Sequence, residues 1–249
     1  MQHDTKPALR VDDVSHAFGS VQALEDVSLT VARGEFVALL GVNGAGKSTL
    51  FSLITRLYDN ISGSIEVCGH DVRREPGPAL ARMGVVFQSR SLDMSLTIRQ
   101  NLRYHAALHG IGRREAIERG DRVLERVGLI DKGGSKVATL SGGQVRRAEI
   151  ARALMHDPTL LLLDEATVGL DVRSRTDVVD TVRALADSGE VGVLWATHLF
   201  DEVRPADPVV LLHKGEVLAQ GSAGEIAGDV PLSDRFLALT GVDGREIAA

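Results

Sequence analysis

Apolar and polar positions along this chain alternate between two periods. Residues 9–14 and 27–32 carry short apolar runs that predict strands, Arg33-Gly34-Glu35 predicts a turn, and residues 36–40 predict a buried strand. A glycine-rich loop follows. Between residues 47 and 57 the apolar positions are Leu50, Leu53, Ile54 and Leu57, the i, i+3, i+4, i+7 spacing of a helix with one buried face. Residues 64–67 and 84–87 predict further strands. From residue 89 to 140 the period is helical twice, over 97–109 and 113–127, so this stretch reads as a helical insertion.

Beyond residue 140 helix and strand alternate again: helix 141–155, strand 159–163, helix 172–186, strand 191–196. Such alternation implies parallel strands joined by crossover helices, an α/β fold. Residues 209–212, a Lys214-Gly215 turn and residues 216–219 predict a hairpin, with short helices beyond. No internal repeat or low-complexity segment interrupts the pattern. The expected organisation is one domain over 1–249. Its core spans 1–88 and 141–220 and includes an antiparallel β part, the insertion spans 89–140, and a short helical tail spans 221–249.

Composition narrows the function. A hydrophobic content of 44% is enough for a substantial core, and a formal net charge of −6 argues against a nucleic-acid binder. The single cysteine, Cys68, cannot form an intramolecular disulfide, so it reads as a small buried residue in a cytoplasmic protein. A membrane-spanning helix needs about 20 mostly apolar residues, and the apolar runs here, such as 160–163 and 209–212, have the length of strands. The first nine residues carry His3, Asp4 and Lys6 and lack an apolar centre. They are expected to form a frayed terminus, neither a secretory signal nor a lipid anchor.

Gly41-Val42-Asn43-Gly44-Ala45-Gly46-Lys47-Ser48-Thr49 satisfies the G-x-x-x-x-G-K-[ST] phosphate-binding pattern, with a buried strand before it and a helix after it. Glycines let backbone N–H groups turn toward phosphate oxygens, the helix N-terminus adds its dipole, and Lys47 adds a full charge. The Ser48 hydroxyl is placed to ligate Mg2+. Residues 160–163 form a wholly apolar strand ending in Asp164 and Glu165, where open α/β sheets bind ligands. Asp164 suits the shell of the metal and Glu165 suits an attacking water, although an acidic turn capping a helix would carry the same pair. Leu140-Ser141-Gly142-Gly143-Gln144 opens a helix, with Ser141 as a natural N-cap and paired glycines leaving amides open to an anion. Arg146 and Arg147 follow at once, either beside that anion or on a solvated face.

The loop at Gly41, the LSGGQ run at Ser141 and the LLLLDE strand at Asp164, taken together, resemble the ABC ATPases over nearly the whole chain. The resemblance implies a P-loop NTPase core with a parallel sheet, an antiparallel β subdomain and a helical insertion, binding ATP with Mg2+ and hydrolysing it. It implies that the signature segment Ser141, Gly142, Gly143 and Gln144 of one subunit covers the ATP of a second, so two copies sandwich two nucleotides. It further implies adenine contact at Phe18, which a core role would also explain. By the same resemblance Gln88 is a magnesium-sensing loop glutamine, Asp171 a residue at the dimer contact, and His198 a switch histidine at the γ-phosphate. Catalytic work then falls to Lys47, Gln88, Glu165 and His198, and metal binding to Ser48, Gln88 and Asp164. Val42 and Ala166 stand where the family commonly has proline, and neither change removes a catalytic group.

The family's mechanism implies a transmembrane permease on a separate chain, docked near residues 88–97, and a peripheral position on the inner face of the membrane. Residues 88–93 through Asn101-Leu102 resemble the drug and polysaccharide exporter branch. Residues 194–199 with 103–107 resemble a subfamily associated with PQQ-dependent alcohol oxidation. The chain ends soon after residue 240, without a large C-terminal regulatory domain, which leans toward export. The competing reading is an ABC ATPase with no transport role, such as an iron–sulfur cluster assembly ATPase. A small-molecule kinase would explain neither LSGGQ nor Asp171.

Overall fold

The structure is a computed structural model and describes residues 6–241. The readings made for the extreme N-terminus and for residues 242–249 of the tail lie outside that range. In chain order the elements are β1 (Leu9–Phe18), β2 (Val21–Val31), β3 (Phe36–Leu40), α1 (Lys47–Ile54), β4 (Ser62–Val67), β5 (His70–Asp71), α2 (Pro76–Leu80), β6 (Met83–Val86) and α3 (Ile98–Leu108). They continue with α4 (Arg113–Arg126), α5 (Gly142–Ala153), β7 (Leu160–Asp164), α6 (Val172–Asp187), β8 (Gly192–Thr197), β9 (Pro208–His213), β10 (Glu216–Ser222), α7 (Ala223–Ala227) and α8 (Leu232–Thr240).

Two sheets organise these elements. A six-stranded sheet runs β10-β9-β3-β8-β7-β6, parallel throughout except for the β9–β10 hairpin. A four-stranded antiparallel sheet runs β2-β1-β4-β5. The unbroken apolar runs of the central strands have a direct cause: both faces are buried, in different cores. Phe36, Ala38 and Leu40 of β3 face the core shared with α3, α4, α5 and α6, while Val37 and Leu39 face the core shared with the antiparallel sheet and α1. In β7, Leu161 and Leu163 take the first side and Leu160 and Leu162 the second.

Helices α3 and α4 stand where the helical periods over 97–109 and 113–127 predict helices. Thr97 caps α3 through a reciprocal bond with Gln100, and α3 and α4 bury Leu102, Ala106, Val123 and Leu124. In the β9–β10 hairpin, Lys214 and Gly215 both take positive φ, as a two-residue turn of the primed kind requires.

Two expectations change. Leu57 is not on a buried helix face: α1 ends at Ile54, Thr55 bonds back to the Phe51 carbonyl, Arg56 turns left-handed at φ +62, and Leu57 is exposed. The segment 70–80 holds a short strand and a helix that the sequence pattern did not predict. α2 starts at Pro76, a first-turn position where the missing N–H costs nothing.

Candidate active site

The carboxyl ends of β3, β6, β7 and β8 lie on one edge of the large sheet, and the segments leaving them surround a cavity of about 710 Å3. Its lining includes Asn43, Gly44, Ala45, Gly46, Lys47, Ser48 and Thr49 of the phosphate-type loop, together with Gln88, Glu165 and His198. Val21, Gln22 and Ala23 at the start of β2 close one wall. The loop needs its glycines. Gly46 sits at φ +111, and a Cβ there would lie 2.9 Å from the Ala23 carbonyl oxygen; one at Gly41 would lie 2.4 Å from that of Leu212.

Lys47 is the first residue of α1 and is buried. Its ammonium donates to the Gly41 carbonyl at 2.6 Å and the Val42 carbonyl at 3.3 Å, and pairs with Glu165 at 3.4 Å. Burial pushes its pKa down, opposed by the carboxylates of Glu165 and Asp164.

Glu165 is the hub. Its carboxylate accepts from the Gln88 amide nitrogen at 3.0 Å and lies 3.2 Å from His198 Nδ1. Its backbone holds φ +47, a conformation L-residues seldom take, and is fixed by an amide donation to the Ala196 carbonyl at 2.9 Å. Such a residue costs about 1–3 kcal/mol and persists only where the surroundings over-determine it.

Asp164 lies beside it. Burial pushes its carboxyl above the usual range, while a hydrogen bond from Ser48 and the charge of Lys47 act against that. Oδ1 of Asp164 is buried with no protein partner. An unpaired carboxylate oxygen, a serine hydroxyl beside it and a nearby amide carbonyl form a hard oxygen set of the kind that suits Mg2+.

The remaining predicted residues lie elsewhere. Phe18 stands at the end of β1 with half its surface exposed, edge-on to His16 at 4.7 Å and to Tyr58 at 5.5 Å, outside the cavity lining. Ser141 caps α5 in a reciprocal pair with Gln144, also away from the cavity of its own chain. Asp171 caps α6, accepting from the Ser174 amide at 3.0 Å, and the bonds from Ser174 hold its carboxyl below the usual range. The paired glycines have a packing cause that the sequence did not reveal: a Cβ on Gly142 would lie 3.0 Å from Leu170, and one on Gly143 would lie 2.9 Å from Ser174.

The sequence leaves Arg146 open between a solvated face and an anion site; the structure puts it in the interior. It is buried, donating to the Phe87 carbonyl at 2.8 Å, the Gln88 carbonyl at 2.9 Å and Glu149 at 2.8 Å. Glu149 is buried too and accepts from the Ser91 amide at 2.7 Å, while Arg152 donates to the Ser91 carbonyl at 2.8 Å. Helix α5 thereby grips the backbone around Gln88. The available signal was an acid, Glu149, set between Ala148 and Ile150 one turn after Arg146. Lys214 was also missed as a cavity residue, although the turn after β9 opens on the same sheet edge.

A family model described as ABC transporter matches residues 24–168, more than half of the chain. The daunorubicin resistance ATP-binding protein DrrA3 of Streptomyces coeruleorubidus is 40% identical over 222 residues, covering 89% of this chain and 70% of that protein. The linearmycin resistance ATP-binding protein LnrL of Bacillus subtilis is 36% identical over 233 residues, covering 93% of this chain and 74% of its own length. Among solved structures, cbiO1 from Clostridium perfringens, part of the ABC transporter complex cbiONQ, superposes with a TM-score of 0.83 at 27% identity, covering 98% of this chain and 100% of that one. Among the described residues no helix is long and apolar enough to cross a membrane.

Proposed function

The chain belongs to the ABC transporter family as an ATP-binding, ATP-hydrolysing subunit, and from that premise we propose that it powers export through a transmembrane permease carried on a separate chain. The observation that carries the reading is the meeting of Lys47, Ser48, Gln88, Glu165 and His198 around one cavity at the carboxyl edge of the parallel sheet, with Asp164 behind Ser48.

In this proposal the amides of loop 41–46 and the Lys47 ammonium hold the β- and γ-phosphates of ATP. Glu165 accepts the proton of the attacking water as its oxygen bonds to the γ-phosphorus, and the bond to the β-phosphate oxygen breaks. Lys47 balances the charge that develops on the departing ADP. Gln88 and His198, both against the Glu165 carboxylate, orient the water and the γ-phosphate. Ser48 Oγ, Asp164 Oδ1 and the side-chain amide oxygen of Gln88 would hold Mg2+, whose charge, when bound, is shared across the phosphates. Phe18, with its exposed ring, is assigned to the adenine.

Ser141, Gly142, Gly143, Gln144 and Asp171 lie off the cavity of their own chain, which supports their use on the nucleotide of a second copy in a homodimer. The proposed division is a core over 1–88 and 141–220, an insertion over 89–140 and a tail from 221. Permease contact is assigned to residues 88–97 and α3, where Met94 and Tyr104 expose apolar surface beside that of Phe87. That contact places the subunit on the cytoplasmic face of the membrane. Export is favoured by the resistance functions in the names of the two relatives. The finer likeness, to the subfamily associated with PQQ-dependent alcohol oxidation, rests on residues 194–199 and 103–107 alone.

The test is purification of the native chain from detergent-solubilised membranes. An integral membrane protein in stoichiometric amount, with ATP turnover that rises when the pair is reconstituted in vesicles, is expected. Recovery only in complexes without a membrane protein would overturn the transport role and leave the ATPase assignment standing.

A further inference from the structure

Away from the nucleotide cavity, the rings of His105, His109 and His156 meet at the junction between insertion and core, and one ring nitrogen from each lies within 4.8 Å of the others. His105 and His109 are four residues apart on α3, the spacing that puts two side chains on one helix face. His156 follows α5 in the connection to β7. Ring centroids are 4.7 Å apart for His105 and His109, 4.1 Å for His109 and His156, and 5.8 Å for His105 and His156.

Two of the rings have a buried nitrogen without a partner. His156 Nε2 lies 2.8 Å from the Met83 carbonyl oxygen. A carbonyl only accepts, so Nε2 carries the proton and Nδ1 carries the lone pair. Among the described residues that buried Nδ1 has no hydrogen-bond partner, nor has the buried Nε2 of His105. Donation of the far ring N–H to a backbone carbonyl is the outer-shell arrangement that fixes tautomer and ring orientation in histidine metal sites.

The geometry points to a transition-metal site in which His105, His109 and His156 bind one divalent cation of the zinc class. Three neutral nitrogen donors suit Zn2+, Ni2+ or Cu2+ and do not suit Mg2+ or Ca2+, which take oxygen. Metal–nitrogen bonds of about 2.0–2.1 Å in a tetrahedron call for nitrogens roughly 3.3–3.4 Å apart, so the cluster must tighten. The His109 and His156 rings are stacked 8° from parallel, so their in-plane lone pairs do not converge as they stand; His109, the exposed member, must turn about its side-chain bonds to aim at a shared ion, and its exposure leaves the fourth position to water.

Burial pushes His105 down to about 4 and lowers His156 and His109 as well, so the imidazoles are unprotonated near neutral pH, as ligation requires. The cations facing the cluster are Arg119 and Arg152. Arg119 is paired with Glu115 and Asp157, and Arg152 lies in the field of Glu149, so both charges are offset. A bound ion would fasten α3 to the α5–β7 connection and, through Met83, to the start of β6, the strand that leads to Gln88.

The test uses the full chain without a histidine tag, stripped of metal, with neither nucleotide nor Mg2+ present. Co2+ is titrated and its visible ligand-field band followed, and Zn2+ affinity is read by competition with a chromophoric chelator. One equivalent per chain with a tetrahedral Co2+ spectrum is expected. His109→Ala, at the exposed position, is expected to weaken binding at least tenfold with an unchanged circular dichroism spectrum, and His156→Gln likewise. His70→Ala, outside the cluster, is expected to bind as the parent does. Absence of a bound equivalent, or binding that survives both His109→Ala and His156→Gln undiminished, would overturn the site. If His156→Gln fails to fold, His109→Ala alone decides.

Discussion

Glu165 is held from four directions: by Gln88, by His198, by Lys47 and by its own strained backbone. A carboxylate so constrained can be neutralised without being moved. Glu165→Gln is expected to keep ATP affinity within a few-fold while hydrolysis falls by about 10²–10⁴, the usual contribution of a positioned base. Equilibrium nucleotide binding and phosphate release check the two halves, and near-normal turnover would remove Glu165 from the role given to it. Arg146 is the reverse case, a buried residue that the sequence did not place in the core, with three acceptors of which Glu149 is buried. Removing one partner of a buried ion pair costs about 3–5 kcal/mol. Arg146→Ala is therefore expected to unfold at clearly lower denaturant and to lose turnover, and Arg146→Lys to recover charge but not the fork to Phe87 and Gln88. Asp164 and Glu165 were legible because a motif fixes their order after an apolar strand. Arg146 was not, because burial depends on what another segment lays over the helix.

At the scale of elements, the Ser141 cap was read from the sequence, whereas the caps at Thr97 and Asp171 were not, although the first has the same residue pattern. Ser141 and Thr97 each precede a helix with glutamine three positions on, and both form reciprocal pairs. Ser141→Ala is expected to cost about 1 kcal/mol in chemical denaturation, the ordinary value of an N-cap, before any effect on nucleotide. Asp171 adds a pH signature. Its carboxyl is depressed in the folded chain, so its stabilisation is whole above the unfolded value of 3.8 and is lost as pH falls through the lower folded value. The stability difference between the parent and Asp171→Asn, which caps but does not titrate, is expected to be flat above pH 4 and to shrink below it. A flat difference at every pH would show that the cap bond does not depend on charge. The end of α1 was misread since Leu57 fits the helical spacing, while the stop comes from the left-handed turn at Arg56, a backbone choice with no apolar signal. Helix α2 was hidden by prolines that usually break helices.

Across the whole molecule, the parallel sheet was legible because strands buried on both faces must be apolar throughout, while which face meets α3–α6 and which meets α1 and the antiparallel sheet was not. The packing of Gly142 against Leu170 and of Gly143 against α6 was not legible, because sequence spacing shows which amides are bare and not which segment comes near. The proposed pairing of two copies is testable at this scale. Glu165→Gln with ATP is expected to elute at twice the monomer mass in light scattering, and the same protein with ADP as a monomer. A nucleotide-independent mass would sink the shared-site reading.

Helix α5 holds both the backbone of Gln88, through Arg146, and the outward-facing turn at Ser141. Both contacts belong to one continuous helix, so a displacement of its first turn would carry the other with it. In an assembled pair, pressure from a neighbour's ligand on that turn would shift the amide that touches Glu165. Each protomer's hydrolytic carboxylate would then feel, within its own chain, whether the opposite pocket is filled.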